Sequence, residues 1–284
     1  MKLLMFGQTG QVAREVLAWA GAGLEVQALG RGDCDLSDPA ACAAVIAAST
    51  ADAVLNAAAY TAVDKAEAEE ALATVINGEA PGAMAEACAA RGVPFVHIST
   101  DYVFDGTGEA AWTPGDRVSP VNAYGRSKLA GEVAIAQAGG AAAVMRTSWV
   151  FSAHGGNFVK SMLRLGAERE RLAIVDDQHG GPTWAGDIAS AAIRMARVLC
   201  EAPHKAGTYH FSGAPDVSWA AFAREIFAQA DVVCEVTPIA SADFPTPAAR
   251  PANSRLDCSA TEAAFGLPRP DWRTGLARVL RELS

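Results

Sequence analysis

Leu3-Leu4-Met5-Phe6-Gly7-Gln8-Thr9-Gly10-Gln11-Val12-Ala13 opens the chain with a short apolar run, two glycines three positions apart and the start of an alanine-rich stretch. Leu3–Phe6 is too short for a buried helix and reads as a buried strand. Gly7 can take the positive φ of a tight turn, and Gly10 lets backbone approach a pyrophosphate lying on the N-terminus of the helix that follows. Ala13 holds the third small position, where helix and strand pack too closely for a larger side chain. The spacing is GxxGxxA, not GxGxxG, and alone it also suits a plain structural turn. Its position directly after a first strand points to dinucleotide binding.

Outward from this turn, Val26–Leu29, Ala53–Ala57, Phe95–Ser99 and Ala142–Arg146 read as further buried strands. Helical stretches lie between them: Gln11–Ala20, Pro39–Ala48 launched by Asp38 as N-cap, and Ala80–Arg91 ending at Gly92. Such alternation requires right-handed crossovers and a parallel sheet covered on both faces. The expected fold is α/β, a Rossmann-type doubly wound parallel sheet over residues 1–150. Beyond it prolines and glycines thicken, and helices are predicted at Asn157–Ala167, Ala185–Cys200, Trp219–Ala228 and Trp272–Leu280. Residues 151–284 are therefore read mainly as a smaller C-terminal substrate-binding lobe over the carboxyl edge of the sheet, with segments of the two free to interleave. That edge is where such folds hold ligands.

The bulk numbers narrow the function. A net charge of −9 over 284 residues argues against a sequence-independent nucleic-acid binder, which needs a basic surface. It is compatible with a phosphorylated small molecule, for which backbone amides and one or two arginines suffice. Cys34, Cys42, Cys88, Cys200, Cys234 and Cys258 show no metal-ligand spacing and read as free thiols of a reducing compartment. The N-terminal apolar run is too short for a signal peptide, and no stretch reaches membrane-spanning length. A cytoplasmic protein without a membrane partner is expected.

At the end of the second strand the sequence reads Leu29-Gly30-Arg31-Gly32-Asp33-Cys34-Asp35-Leu36. No carboxylate closes that strand, and Arg31 stands where it would meet a 2′-phosphate. This tilts the cofactor toward NADPH, while Asp33 and Asp35 keep NADH open. Further on, Tyr124-Gly125-Arg126-Ser127-Lys128 places tyrosine and lysine one helical turn apart on one face. A phenol near pKa 10 is a poor acid–base group at neutral pH, and a neighbouring ammonium is expected to bring it down. Thr100, closing the strand Phe95–Ser99, puts a hydroxyl at the same sheet edge, where a reacting carbonyl oxygen would want a donor. His97, inside that strand, reads as a hydrogen-bonded core residue. Trp149 suits either the core or a contact to a sugar or base.

Taken together these segments resemble the extended short-chain dehydrogenase/reductases, in the sugar-nucleotide branch that contains the dTDP-4-dehydrorhamnose reductase family. The resemblance rests on Phe6–Val12, Asn56–Glu67, Ser99–Gly106, Asn122–Glu132, Arg146–Phe151, Asp177–Thr183 and Phe244–Leu256, and covers nearly the whole chain. It implies an NAD(P)H-dependent oxidoreductase acting on a 4-keto nucleotide sugar in the last step of dTDP-L-rhamnose biosynthesis. Tyr124 would give the proton, Lys128 would bind the nicotinamide ribose, and Thr100 would hold the same oxygen. Gly7, Gly10, Gln11 and Val12 would line the pyrophosphate, Asp35 and Leu36 the adenine, and Ala59, Tyr60 and Thr61 the nicotinamide side. Asp101, Trp149 and Arg250 would contact the sugar nucleotide. Tyr60 stands where this family often has a histidine. The resemblance leaves room for a homodimer, and for Mg2+ held by Glu15 and Asp187, although two lone helical acids are more often simply solvated.

Two other readings keep the fold. An epimerase or 4,6-dehydratase would change the chemistry, but a dehydratase commonly carries Asp-Glu after the threonine, and here Asp101 is followed by Tyr102. A non-catalytic regulatory subunit would have no need for Thr100, Tyr124 and Lys128 together.

Overall fold

In the computed structural model, which describes residues 1–21 and 23–284, each strand expected in the N-terminal half forms. β1 (Lys2–Phe6), β2 (Glu25–Leu29), β3 (Ala53–Asn56), β4 (Phe95–Thr100) and β5 (Ala142–Thr147) are joined by β10 (Gly207–His210) in one six-stranded sheet, ordered β10-β5-β4-β3-β1-β2. Every pairing in it is parallel. The strand order reverses at β1, which pairs with β2 on one side and β3 on the other, and this opens a crevice at the carboxyl edge. β10 was not foreseen. Gly207-Thr208-Tyr209-His210 is a half-buried edge strand with no apolar run to announce it.

The helices cover both faces. α1 (Gln11–Ala18) packs one face beside the later α8 (Ala185–Glu201), against Leu3 and Met5 of β1. The opposite face, with Leu4 and Phe6, is covered by α2 (Pro39–Ala48) and α5 (Ala80–Arg91), joined by Ile135 of α6 (Ala123–Ala138). This alternation along β1 is what a strand buried on both sides requires. α2 starts as its sequence demands, with Asp38 accepting from the Ala41 amide at 3.0 Å and Pro39 in the first turn. Between β3 and α5 run two short helices, α3 (Val63–Ala66) and α4 (Glu70–Thr74), then a π-helical turn at Val75–Glu79.

The rest of the chain contributes to two bodies. α8 and β10 lie with the sheet, and α10 (Ser259–Phe265) adds Phe265 to the same core. A second core gathers Phe151, Val159, Met162, Leu172, Phe222, Ile226 and Trp272. These come from β6 (Val150–Phe151), α7 (Phe158–Glu168), β7 (Arg171–Val175), α9 (Trp219–Gln229) and α11 (Trp272–Leu283). Each large side chain buried there contributes about 1.5–3 kcal/mol. β8 (His179–Gly180), β9 (Thr183–Trp184), β11 (Val217–Ser218), β12 (Glu235–Ile239) and β13 (Asn253–Ser254) pair within small sheets beside this core. Among the described residues no helix is long and apolar enough to cross a membrane.

Candidate active site

The carboxyl edge of the sheet opens into a crevice of about 920 Å³, walled by the glycine turn, the ends of β2, β3 and β4, the start of α6 and the Trp149–Val150 segment. Gly7 has φ +110°, and a Cβ there would come within 3.2 Å of the Ala57 carbonyl carbon, so both conformation and space require glycine. Gly10 differs. Its φ is an ordinary −69°, and an added Cβ would meet nothing closer than 4.0 Å inside the protein. The fold does not need glycine at this position, so its open side is room for something in the crevice. Just behind it α1 begins without a side-chain cap, leaving first-turn amides directed at an anion. Gln11 and Val12 line the same wall, and Gln11 Oε1 also accepts from Ser152 Oγ at 3.2 Å and Asn157 Nδ2 at 3.0 Å.

Tyr124 and Lys128 stand in the first turns of α6, whose N-cap Asn122 accepts from the Gly125 amide at 2.8 Å. Both line the crevice opposite Thr100, the last residue of β4. Thr100 Oγ1 donates to Asp101 Oδ1 at 3.0 Å and accepts from the Tyr102 amide at 3.2 Å. Burial, reinforced by the Asp101 charge, pushes Tyr124 well above the usual phenol range, and the nearby Thr100 hydroxyl only partly offsets it. The lowering expected from an adjacent ammonium is thus reversed. Lys128 is 1% exposed, and its Nζ turns to the Ile98 carbonyl at 2.7 Å and His97 Nε2 at 3.0 Å. Burial brings its pKa down to about 8, against an upward pull from Glu132. Asp101, fully buried with Oδ2 lacking a partner among the described residues, is pushed up to about 6, burial outweighing its hydrogen bonds.

At the far end of the crevice lie Arg31, Asp35 and Leu36. Asp33 and Asp35 are committed to their own loop, accepting from the Gly30 amide at 2.8 Å and the Ser37 amide at 2.9 Å. Arg31 is exposed at the rim. Ala59 and Thr61 reach the wall, but Tyr60 does not. Its hydroxyl donates to Glu69 at 2.7 Å and its backbone exchanges two bonds with Asn77, which direct the ring into α4 and away from the opening. Trp149 lines the crevice stacked on Trp219, ring centroids 3.5 Å apart, with φ +48°. A bulky residue in the left-handed region is strained, and such strain collects at functional sites. Arg250 stands back from the wall, its Nη2 on Asp64 Oδ1 at 2.9 Å and its Nη1 buried without a partner among the described residues.

The acidic candidates for a metal are crowded. Burial, then the charges of Glu282 and Asp187, raise the pKa of Glu15, and burial brings Asp187 up to about 6. Among the described residues no group of three or more His, Cys, Asp or Glu side chains is placed to hold a metal ion. Reasoning from sequence passed over Asn56, Thr147, Trp219 and the buried cluster of Ser99, Glu132 and Arg146. For Asn56, Ser99, Arg146 and Thr147 a hydrophilic residue within an apolar strand was the one signal; Glu132 and Trp219, on helices, had none.

A parallel sheet with its crevice at the point of strand reversal, an open glycine turn, and a Thr/Tyr/Lys set facing it define an extended short-chain dehydrogenase/reductase. The comparisons place the chain further. All of residues 1–284 match the family described as RmlD substrate binding domain, and the chain belongs to it. It is 43% identical to a dTDP-4-dehydrorhamnose reductase of Sinorhizobium fredii, over 99% of this chain and 97% of that one. A crystal structure of a dTDP-4-dehydrorhamnose reductase from Clostridium acetobutylicum superposes with a TM-score of 0.93 at 35% identity, covering 100% of this chain and 99% of the other. One from Bacillus anthracis, in complex with NADP, superposes with a TM-score of 0.91 at 32% identity, covering 99% of each chain.

Proposed function

We propose that this chain reduces the 4-keto group of dTDP-4-dehydro-β-L-rhamnose to give dTDP-β-L-rhamnose, using NADPH in preference to NADH. The observation that carries the reading is the convergence of Thr100 and Tyr124 on the crevice, with Tyr124 kept in its acid form by burial. A ketone reduction consumes one proton, and a protonated phenol beside a second hydroxyl suits that need. Tyr124 Oη gives its proton to the sugar C4 oxygen as negative charge develops there, and the Thr100 hydroxyl donates to the same oxygen. A reduced nicotinamide, when bound, supplies the hydride to C4. Gly7, Gly10, Gln11 and Val12 would hold its pyrophosphate, Asp35 and Leu36 its adenine, and Ala59, Thr61 and Lys128 its nicotinamide end. Arg31 at the rim would take a 2′-phosphate, since the nearby aspartates are occupied.

For the sugar nucleotide the reading assigns Asp101 and Trp149 to the sugar side and the unpaired Nη1 of Arg250 to the diphosphate. Residues 151–284 supply most of this substrate side, and residues 1–150 most of the cofactor side. A dehydratase is disfavoured because the residue after Asp101 is Tyr102, whose ring packs edge-on against Tyr124 at 5.7 Å, and brings no second carboxylate. A homodimer in a reducing cytoplasm, which the six free cysteines suit, completes the reading.

The test mixes purified protein with dTDP-4-dehydro-β-L-rhamnose and either NADPH or NADH, following loss of reduced-cofactor absorbance. Turnover with a kcat/KM advantage for NADPH is expected, lost in Arg31→Ala. Tyr124→Phe should lower kcat by roughly 10²–10⁴-fold. Absence of cofactor oxidation overturns the reaction, and a fully active Tyr124→Phe overturns the assignment of the proton donor.

A further inference from the structure

Behind Lys128 lies a chain of polar groups that neither the proton transfer nor the ligand contacts account for. Asn56 ends β3 at 1% exposure and His97 is fully buried in β4, directly opposite it in the parallel register. An apolar pair would fill this place without the desolvation cost that two polar side chains bring. Their hydrogen bonds run in one direction only. The Ala58 amide donates to Asn56 Oδ1 at 3.1 Å, and because a backbone N–H can only donate, the amide oxygen is fixed there. Asn56 Nδ2 therefore faces His97 Nδ1, at 3.2 Å. An amide nitrogen also only donates, so His97 Nδ1 must be the bare nitrogen and the ring proton must sit on Nε2. That N–H points at Lys128 Nζ, 3.0 Å away. Two donors cannot share a proton position, so this contact is satisfied when the lysine nitrogen offers a lone pair and is opposed when it is an ammonium, while one of its hydrogens goes to the Ile98 carbonyl at 2.7 Å.

We propose that Asn56 and His97 are positioning residues: a one-way donor chain from the Ala58 amide seats Lys128 at the crevice and weakens its hold on its third proton.

Burial acts in the same direction, lowering Lys128 to about 8 and holding His97 well below its ordinary range, so the imidazole stays neutral. The other ionisable neighbours leave this intact. Glu132, one turn along α6, pulls Lys128 upward, but its carboxylate is bound by Arg146 of β5 at 2.6 Å and by Ser99 of β4. Tyr124, one turn back, and Asp101, at the end of β4, both hold their protons more tightly than usual, above all through burial.

The proposal rests on the reductase reading only in giving Lys128 a function, and its test needs no turnover. The chain has five histidines and, at positions 2, 65, 128, 160 and 205, five lysines, few enough to resolve individually by nitrogen-15 and carbon-13 NMR. Lys128→Met assigns the Lys128 signal. In the protein without ligand and above the Lys128 midpoint, His97 should carry its proton on Nε2, and Lys128 should titrate well below the other four lysines. Asn56→Asp accepts from both the Ala58 amide and a His97 Nδ1–H, so it should flip the tautomer and move the Lys128 midpoint up by about one unit, tenfold in proton affinity. His97→Gln, able to turn its carbonyl oxygen toward Lys128, should move it the same way. The alkaline limb of kcat should follow that midpoint, with KM for the sugar nucleotide unchanged. A wild-type His97 protonated on Nδ1 above the Lys128 midpoint overturns the proposal even if both variants fail to fold. So does a Lys128 midpoint unmoved in both folded variants. A failed reductase assay leaves these readouts standing.

Discussion

Asp101 is the residue at which the proposed substrate contact and stability conflict. It is 3% exposed, its Oδ2 has no partner among the described residues, and burial brings its pKa from 3.8 up to about 6. A carboxylate whose folded pKa exceeds its unfolded one favours the fold fully below about pH 4, and that contribution is lost as pH rises through 6. The shift corresponds to an upper bound of ~3 kcal/mol at neutral pH. Asp101→Asn keeps an acceptor for Thr100 Oγ1 and removes the buried charge. Its thermal unfolding should exceed wild type at pH 7–8 and match it near pH 3, while KM for the sugar nucleotide rises. A stability difference independent of pH would show that the charge is not the cause. None of this is visible in the string Ser99-Thr100-Asp101. The sequence marks a polar strand end, but the direction of the shifts at Asp101 and Tyr124 depends on burial, which only the assembled crevice creates.

At the scale of elements, α6, which carries Tyr124 and Lys128, lies unusually close to its neighbours. A Cβ on Gly131 would fall 2.2 Å from the Asn77 carbonyl of the π-helical turn, and one on Gly125 would fall 2.2 Å from the Tyr102 carbonyl. The Arg146–Glu132 ion pair, each side chain 6% exposed, pins the same helix to β5. Backbone cannot yield as a side-chain tip does, so Gly131→Ala must push α6 outward. The expected cost is about 1–3 kcal/mol in thermal or urea unfolding. A larger fractional loss is expected in kcat, since a displacement of about 1 Å can cost 10²-fold. Gly115→Ala, at a position where a Cβ meets nothing within 4 Å, should change neither. An unaltered kcat in Gly131→Ala would mean that this contact does not set the position of Tyr124 and Lys128. The elements legible in the sequence are those with a local signature: the apolar runs of β1, β3, β4 and β5, the Asp38-Pro39 start of α2, the turn at Gly7 and the Tyr124/Lys128 spacing. β10, the π-helical turn and the Asn56–His97 register were not legible. Each depends on what a distant segment brings alongside, and no periodicity encodes that.

Across the whole molecule, the crevice is a seam between two cores, stitched by a few polar bonds. Gln11 of α1 accepts from Ser152 and Asn157, and Asn122 at the head of α6 donates to the Ala249 carbonyl at 2.8 Å. Trp149, following β5, stacks on Trp219 of α9. A dinucleotide lying along the glycine turn would touch the sheet side of this seam, and a sugar nucleotide beside Trp149 would touch the other. Ligands that bind the folded chain and not the unfolded one stabilise it by mass action, by about 2.7 kcal/mol at a hundred times Kd. NADP+ should therefore raise the unfolding temperature more than NAD+ at equal concentration, through Arg31 at the rim. Arg31→Ala should remove that margin and leave the NAD+ shift as it was, because the pyrophosphate and adenine contacts are unchanged. Thymidine diphosphate added on top should raise it again, and Arg250→Ala should abolish this second increment while preserving the first. If Arg31→Ala lowered both dinucleotide shifts equally, the arginine would be serving the loop and not a 2′-phosphate. The proposed preference for NADPH would then need a different physical origin.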